Sequence, residues 1–165
     1  KTAAWIIQAY EDIPLKEMGG TRLHDIPQKL FDKHREHMPL RFAKRAEHYY
    51  TECERVRQGI KAWKKGDIKK FGQLVFDSCE SSMNNYECGS PELIELYKIM
   101  RHTDGIFGGR FSGAGFKGAC IALIDPDKED AIREQVTKEY LTEYPQYKDS
   151  FRAYFCNTSN GVDFL

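Results

Sequence analysis

A glycine-rich loop between two apolar segments is the part of this chain best suited to bind an anion. Residues 106–111 and 119–124 have the composition of β-strands, and the seven residues 112–118 separate them. A loop of this length exceeds a two-residue turn, so the sequence predicts an antiparallel hairpin with a long connection. Its glycines free the backbone for left-handed conformations, in which successive N–H groups could converge on a phosphate. Glycines that merely close a bulged turn explain this pattern equally well.

Helical segments upstream must position this loop. Ser90 is a suitable N-cap residue and Pro91 suits the first helical position, so a helix should start there; as a helix cap this feature needs no ligand to explain it. Residues 40–65 and 68–82 have the periodicity of two amphipathic helices, with Asp67 as the cap of the second. The connection between them is short, so the two helices should pack antiparallel.

An apolar stripe runs along the first of these helices. Its members recur at alternating intervals of three and four residues, which predicts one buried face. Tyr49 and Trp63 are expected to be its aromatic core anchors. The stripe consists of Ala46, Tyr49, Cys53, Val56, Ile60 and Trp63.

Small polar residues gather where the second helix ends. Ser78, Ser81, Ser82 and Asn85 lie within its last turns or just beyond them. They either face a ligand cleft or cap the helix end in contact with solvent, and the sequence favours neither interpretation.

The order of elements predicts an α+β fold. Helices are expected at 2–10, 27–37 and 128–143, and strands three and four at 151–156 and 162–165. Together with the glycine-loop hairpin, these strands predict a four-stranded antiparallel, ferredoxin-like sheet with helices packed on one face. Residues 1–165 are interpreted as one domain, and residues 1–20 also fit the tail of a preceding domain.

Composition argues against several classes of partner. Twenty-five basic residues balance twenty-five acidic ones, which supplies no electrostatic footprint for nucleic acid or a membrane surface. Five cysteines, an odd number without a C-x-x-C pair, indicate reduced thiols and a cytoplasmic location, with Cys53, Cys79 and Cys120 at apolar positions. The first residue, Lys1, lies in a helical pattern and is not methionine, which suggests a fragment of a longer protein.

No metal site is predicted. His34, Glu36 and His37 lie among charged residues on what reads as a solvated face, and no further ligand at helical spacing joins them.

The glycine loop and its flanks resemble the carboxy-terminal half of the GHMP small-molecule kinases, within the galactokinase branch. The resemblance rests on RFSGAGFKG at 110–118, SPEL at 90–93 and YEC at 86–88. It extends to RAEHYYTECERV at 45–56 and FGQLVFDSCESS at 71–82, and the final hairpin is also similar. Nine residues match the family pattern in order: Gly105, Gly109, Arg110, Ser112, Gly113, Gly115, Phe116, Gly118 and Cys120.

Two departures from the galactokinase pattern suggest a sugar-acid substrate. Galactokinases often have glycine where this chain has Ala114, and usually glycine where it has Lys117, and both residues look more like the galacturonokinases. The resemblance therefore implies that Lys117 could pair with a uronate carboxylate. A solvated lysine at a hairpin tip is the competing interpretation.

The resemblance implies a two-domain kinase that transfers the γ-phosphoryl group of ATP, with Mg²⁺, to the anomeric hydroxyl of a sugar or sugar acid. The family's nucleotide loop and catalytic base belong to an amino-terminal half that is missing here, so ATP and Mg²⁺ would be bound mainly there and this chain should be inactive alone. No catalytic residue is assigned, since capping explains Asp125, Asp127 and Asp130. The implied phosphate and substrate loop comprises Gly109, Arg110, Ser112, Gly113, Ala114, Gly115, Phe116, Lys117 and Gly118.

Two other classes of function remain open from the residues alone. The chain could be a ferredoxin-like module that binds a small anionic molecule without catalysis, or a structural half that dimerises through its sheet or long helix.

Overall fold

A computed structural model describes residues 1–157 of the protein. Short 3₁₀ turns connect several of its elements, and residues 35–37 form one such turn directly after the second helix. The helices and strands are α1 (Thr2–Tyr10), α2 (Gln28–His34), α3 (Leu40–Lys64), α4 (Ile68–Asn84), α5 (Pro91–His102), β1 (Ile106–Ser112), β2 (Ala119–Ile124) and α6 (Glu129–Glu143).

Side-chain caps fix the starts of α4 and α5 where the sequence predicts them. The Asp67 carboxylate accepts a hydrogen bond from the backbone N–H of Lys70 at 3.0 Å. The Ser90 hydroxyl accepts one from the N–H of Leu93 at 3.4 Å, and Pro91 occupies the first turn of α5. Such caps satisfy N–H groups that a helix start leaves without a partner, so these two boundaries are local properties of the sequence.

β1 and β2 form an antiparallel hairpin, as predicted. Pairing runs from Ile106 opposite Ile124 to Ser112 opposite Ala119, with an irregularity between Ile106 and Gly108. Both α4 and α5 pack against β1. The domain is therefore α+β, with helices dominant and a two-stranded antiparallel sheet among the described residues.

The predicted third strand, 151–156, has no strand pairing within the described part of the chain. Instead, the Phe151 ring packs against Tyr140 of α6 with ring centroids 4.8 Å apart. The carbonyl of Ala153 accepts a hydrogen bond from the Arg133 guanidinium at 2.8 Å. The predicted fourth strand, 162–165, lies outside the described residues, so the four-stranded sheet stays a prediction.

The antiparallel packing of α3 and α4 is confirmed, but half of the predicted stripe on α3 is not buried. Val56, Ile60 and Trp63 are 59%, 52% and 54% exposed. The buried positions in this part of α3 are Gly59 and Ala62, next to α4. Small residues let the two helices approach closely, and the apolar stripe is thereby displaced from the interface.

The amino-terminal helix is part of this fold. Ala4 and Ile7 of α1 are fully buried against α2 and α3. The Glu11 carboxylate, just after α1, receives hydrogen bonds from Lys33 at 2.6 Å and from His34 at 2.5 Å. His34 is buried and stacks on Tyr10, so the prediction that it belongs to a solvated face is wrong. Residue spacing alone does not reveal that α1 covers it.

Candidate functional site

The loop between β1 and β2 depends on glycines in the left-handed region. A residue with a Cβ atom is strained at such φ angles, so these positions favour glycine. The left-handed conformations expected from the sequence are present at three positions: Gly113 (φ 96°), Gly115 (φ 80°) and Gly118 (φ 105°).

The start of α5 holds the centre of this loop. The carbonyl of Gly115 accepts a hydrogen bond from the backbone N–H of Ser90 at 2.6 Å. Gly115 is also buried against the Phe111 ring, where an added Cβ would lie 3.0 Å from one ring carbon and closer to another. Ser90 therefore caps α5 with its side chain and anchors the loop with its backbone, which the sequence pattern did not indicate.

Arg110 points from β1 toward α4. Its guanidinium donates a hydrogen bond from Nη1 to the Ser78 hydroxyl at 2.8 Å. The neighbouring Gly109 packs against α5, and a Cβ there would lie 2.9 Å from the Met100 methyl group. Gly109 thus belongs to the packed part of the strand, while Arg110 joins the strand to the helical hairpin.

A series of side-chain hydrogen bonds continues from Arg110 across α4 to α3. The buried Ser78 hydroxyl donates to Glu52 Oε2 at 2.7 Å. Glu52 Oε1 in turn accepts from Arg55 Nε at 2.5 Å. Charge-assisted hydrogen bonds of this kind are stronger than neutral ones. They connect three elements that are distant in sequence, and we call Arg110, Ser78, Glu52 and Arg55 the charge relay.

Beyond the charge relay, toward the start of α3, lies a second polar contact. His48 Nδ1 lies 2.9 Å from the Ser81 hydroxyl, and its ring packs against Tyr86. The Arg45 guanidinium lies over the same Tyr86 ring and donates to the carbonyl of Asn85. Two arginines thus contact the polar side of α4 and the residues that follow it: Arg110 at Ser78, and Arg45 at Asn85 and Tyr86.

The sequence of the chain matches a known protein family. The family model described as "GHMP kinases C terminal" matches residues 60–142, which span half of the chain and include the glycine loop. The chain belongs to the GHMP kinase family, as a C-terminal domain. The resemblance stated from the sequence is therefore confirmed.

This GHMP kinase domain has sugar kinases among its relatives. It is 41% identical to the galacturonokinase of Arabidopsis thaliana over 128 residues, covering 78% of this chain and 30% of the relative. It is 34% identical to the galactokinase of Ligilactobacillus salivarius over 166 residues, covering 100% of this chain and 40% of the relative. The domain thus spans well under half of the length of these relatives.

A solved structure shares the fold. Lactococcus lactis galactokinase, crystallised with galactose, superposes with a TM-score of 0.70 at 30% sequence identity. The match covers 79% of this chain and 34% of that protein. No helix in the described residues of this domain is both long enough and apolar enough to cross a membrane.

The remaining predicted loop residues lie on the surface. Ser112, Ala114, Lys117 and Gly118 are exposed, and so is the Phe116 ring. Lys117 has no carboxylate partner among residues 1–157. The exposed part of the loop therefore carries an ammonium group and an aromatic ring.

The serines of the α4 cluster are buried, so the expectation that they contact solvent is wrong, whereas Asn85 is the C-cap residue of α4. Ser78, Ser81 and Ser82 are buried, and Ser82 donates to the carbonyl of Ser78. Sequence reasoning missed the two α3 side chains that contact these serines, His48 and Glu52. Both lie in segment 45–56, which carries part of the family resemblance. The available signal was the helical spacing of His48, Glu52 and Arg55, which places three ionisable groups on one face.

Metal binding finds no support in the described residues. No group of three or more His, Cys, Asp or Glu side chains there is arranged to hold a metal ion. Asp125 acts as a cap, as predicted, because its carboxylate accepts from the N–H of Asp127 at 3.1 Å.

The cysteines of the described residues are free thiols. Cys79 is buried, as expected, whereas Cys53 and Cys120 are only half-buried. Burial raises the pKa of Cys79 to about 11 and that of Cys120 to about 12. A thiol with so high a pKa is a poor nucleophile at neutral pH, so these two cysteines contribute packing and not chemistry.

His48 should make the stability of the domain depend on pH. Burial lowers its pKa, Glu52 opposes this, and the positive charges of Arg55 and Arg110 add to it. The unfolded chain then binds a proton more readily than the folded one, so stability should fall as the pH drops through the unfolded value of about 6.5. Urea unfolding midpoints at successive pH values should fall less steeply for His48→Asn. An equal decrease in both proteins would contradict this role for His48.

Proposed function

We propose that this domain is the C-terminal half of an ATP-dependent sugar 1-kinase. The kinase transfers the γ-phosphoryl group of ATP to the anomeric hydroxyl of a sugar or sugar acid. The observation that carries the proposal is the glycine loop, with three left-handed glycines, held by Ser90 and adjoining Arg110. The sugar kinases among its relatives support it.

The glycine loop contributes electrostatic stabilisation and positioning. Phosphoryl transfer needs little covalent work from the protein, but it needs donors and positive charge around the transferred group. Backbone N–H groups of residues 113–115 supply such donors, the Ser112 hydroxyl adds another, and Arg110 adds a nearby positive charge. In this proposal Mg²⁺ and most of ATP are bound by the N-terminal kinase domain, as the family resemblance implies, and this chain is inactive alone.

The remaining parts of the proposal concern organisation. Residues 1–165 form one domain. Its main protein partner is the N-terminal domain of the same kinase. The free thiols support a cytoplasmic location.

Within this function, the substrate is a sugar acid and Lys117 binds its carboxylate. Lys117 is exposed on the loop that faces the substrate in this proposal. The identity of 41% to a plant galacturonokinase extends over 128 residues, whereas the same identity to the galactokinase of Streptococcus suis extends over 108. An ammonium that pairs with a carboxylate in a closed cleft forms a charge-assisted hydrogen bond.

The test is ADP release by the full-length kinase with galacturonate and galactose side by side. We expect a preference for galacturonate. Lys117→Ala should lower kcat/KM for galacturonate about tenfold, a loss of about 1.4 kcal/mol, and leave galactose turnover unchanged. Lys138→Ala, at an exposed position on α6, is the matched control and should have no effect. Equal loss for both sugars would remove Lys117 from substrate recognition, and absence of turnover with either sugar would overturn the sugar-acid assignment.

A further inference from the structure

The far end of the α3–α4 hairpin carries an apolar stripe that no described residue covers. Val56, Ile60 and Trp63 are spaced four and three residues apart and are each more than half exposed. This spacing places them on one face of α3, along about 10 Å of helix. Trp63 packs edge-on against Phe71 of α4 with ring centroids 5.0 Å apart. The stripe therefore contacts α4 through Trp63 on one side and is exposed to solvent on its outer side.

The same end of the hairpin concentrates positive charge. Residues 55–70 contain seven basic side chains and one acidic one, Asp67, although the whole chain has a net charge of zero. Arg57 pairs with Glu54 at 3.2 Å. The lysines form no ion pair within residues 1–157 and are all exposed: Lys61, Lys64, Lys65, Lys69 and Lys70. We call these five lysines, with Val56, Ile60 and Trp63, the hairpin-tip surface.

The hairpin-tip surface is separate from the glycine-loop site. His48, which borders that site, precedes Trp63 by fifteen residues on the same continuous helix. At 1.5 Å per residue this corresponds to about 22 Å. A sugar or nucleotide bound at the loop would not reach the tip, so binding of these ligands does not use it. If the N-terminal domain of the kinase covered the tip, the surface would not bind a further protein in the full-length kinase, and the experiment below would show this as absence of binding.

We propose that the hairpin-tip surface binds an acidic, amphipathic helix of a separate protein. Val56, Ile60 and Trp63 form an apolar seam along one face of α3, and an amphipathic helix can pack along such a seam with its own apolar anchors at i, i+4 and i+7. The unpaired lysines complement carboxylates that flank such anchors, and they would speed association and select against basic partners.

An acidic helix fits this surface better than a lipid bilayer does. Interfacial membrane helices bury a wide apolar face about 5–10 Å into the headgroup boundary. Here three side chains, each about half covered by their own domain, leave little apolar surface to insert. Nucleic acid would use the lysines but not the aliphatic side chains of Val56 and Ile60, because its affinity rests on phosphate contacts.

The test measures binding of a designed peptide to the full-length protein by isothermal titration calorimetry, without nucleotide or sugar. The probe is a helical peptide with leucines at i, i+4 and i+7 and glutamates on both flanks, and a second peptide has serines in place of the leucines. We expect the leucine peptide to bind and the serine peptide to bind at least tenfold more weakly. Trp63→Ser and the double variant K61E/K64E should each weaken binding of the leucine peptide by tenfold or more. Lys138→Glu, an exposed charge reversal on α6, should not.

Several outcomes would overturn the proposal. Equal binding of both peptides would show that the surface binds acidic peptides through charge alone, without the apolar contacts proposed. Tighter binding to phosphatidylserine vesicles than to the peptide, abolished by K61E/K64E, would assign it to a membrane. A dimer in sedimentation experiments that Trp63→Ser dissociates would assign it to a second copy of the chain. Urea unfolding midpoints of the variants distinguish lost binding from lost folding, and Ile60→Ser replaces Trp63→Ser if the latter unfolds. The result does not depend on whether the protein is a sugar kinase.

Discussion

Replacing Gly72 by alanine is expected to destabilise the domain by about 3 kcal/mol, at the upper end of typical overpacking costs. Gly72 lies in α4 where the helix crosses β1, and an added Cβ would lie 2.8 Å from Phe107 Cβ and nearer still to the Phe107 carbonyl. The obstacle is backbone, which cannot rotate away, so α4 and β1 must separate. Urea unfolding of the protein should show the loss, and thermal unfolding should show a decrease of about 10 °C in Tm.

Gly59→Ala is the matched control for this prediction. Gly59 is also a buried glycine in a helix, but an added Cβ would lie 3.5 Å from the Phe71 ring, an ordinary contact. Alanine is the better helix former, so this variant should gain about 0.5–1 kcal/mol of stability. If Gly72→Ala were as stable as Gly59→Ala, the close approach of α4 to β1 would be wrong, and so would the spacing that brings Ser78 to Arg110.

The sequence predicts the local features of the fold well because they depend on neighbouring residues. Asp67 and Ser90 cap the helices that follow them, and the glycine-loop hairpin has its strands within one residue of the predicted limits. In each case the determining chemistry lies within a few residues: a side-chain oxygen near free N–H groups, or glycines at left-handed positions.

Burial on α3 could be predicted only in part, because it depends on where α4 packs. Apolar periodicity selected Val56, Ile60 and Trp63, whereas the interface uses the smaller Gly59 and Ala62. Periodicity ranks residues by hydrophobicity, and a helix interface also selects for small size. The exposed stripe that results is a property of the folded hairpin that no local pattern reveals.

In the candidate site too, the local part could be predicted from the sequence and the part that depends on tertiary packing could not. The glycine loop could be found from the sequence, since its residues are contiguous. The charge relay could not, because Glu52, Ser78 and Arg110 lie on three elements separated by 26 and 32 residues. Charged residues on amphipathic helices usually face solvent, and only the packing of β1 against α4 brings these side chains together.

Breaking the charge relay at Arg110 is expected to have the largest effect on activity. In Arg110→Ala, the Ser78 hydroxyl keeps Glu52 but loses its charged donor, which should cost about 2 kcal/mol of stability because hydrogen bonds to charged groups contribute about 1.5–3 kcal/mol. The same variant removes a positive charge beside the proposed phosphate loop, and the loss of one preorganised donor lowers kcat about a hundredfold.

Ser78→Ala separates the two roles of Arg110. It removes the same hydrogen bond, and the Ser78–Glu52 hydrogen bond with it, but leaves the guanidinium in place. Stability should therefore fall by at least as much as in Arg110→Ala, while kcat of the full-length kinase should fall only about tenfold instead of about a hundredfold. The double variant should show a coupling of about 1 kcal/mol in unfolding free energy, since the two side chains share one hydrogen bond. Arg152→Ala, whose guanidinium bonds the carbonyl of its neighbour Phe151, is the control and should match the parent protein. If both variants lost the same kcat, Arg110 would act only by holding β1 against α4, and the positive charge at the phosphate loop would have to come from another residue.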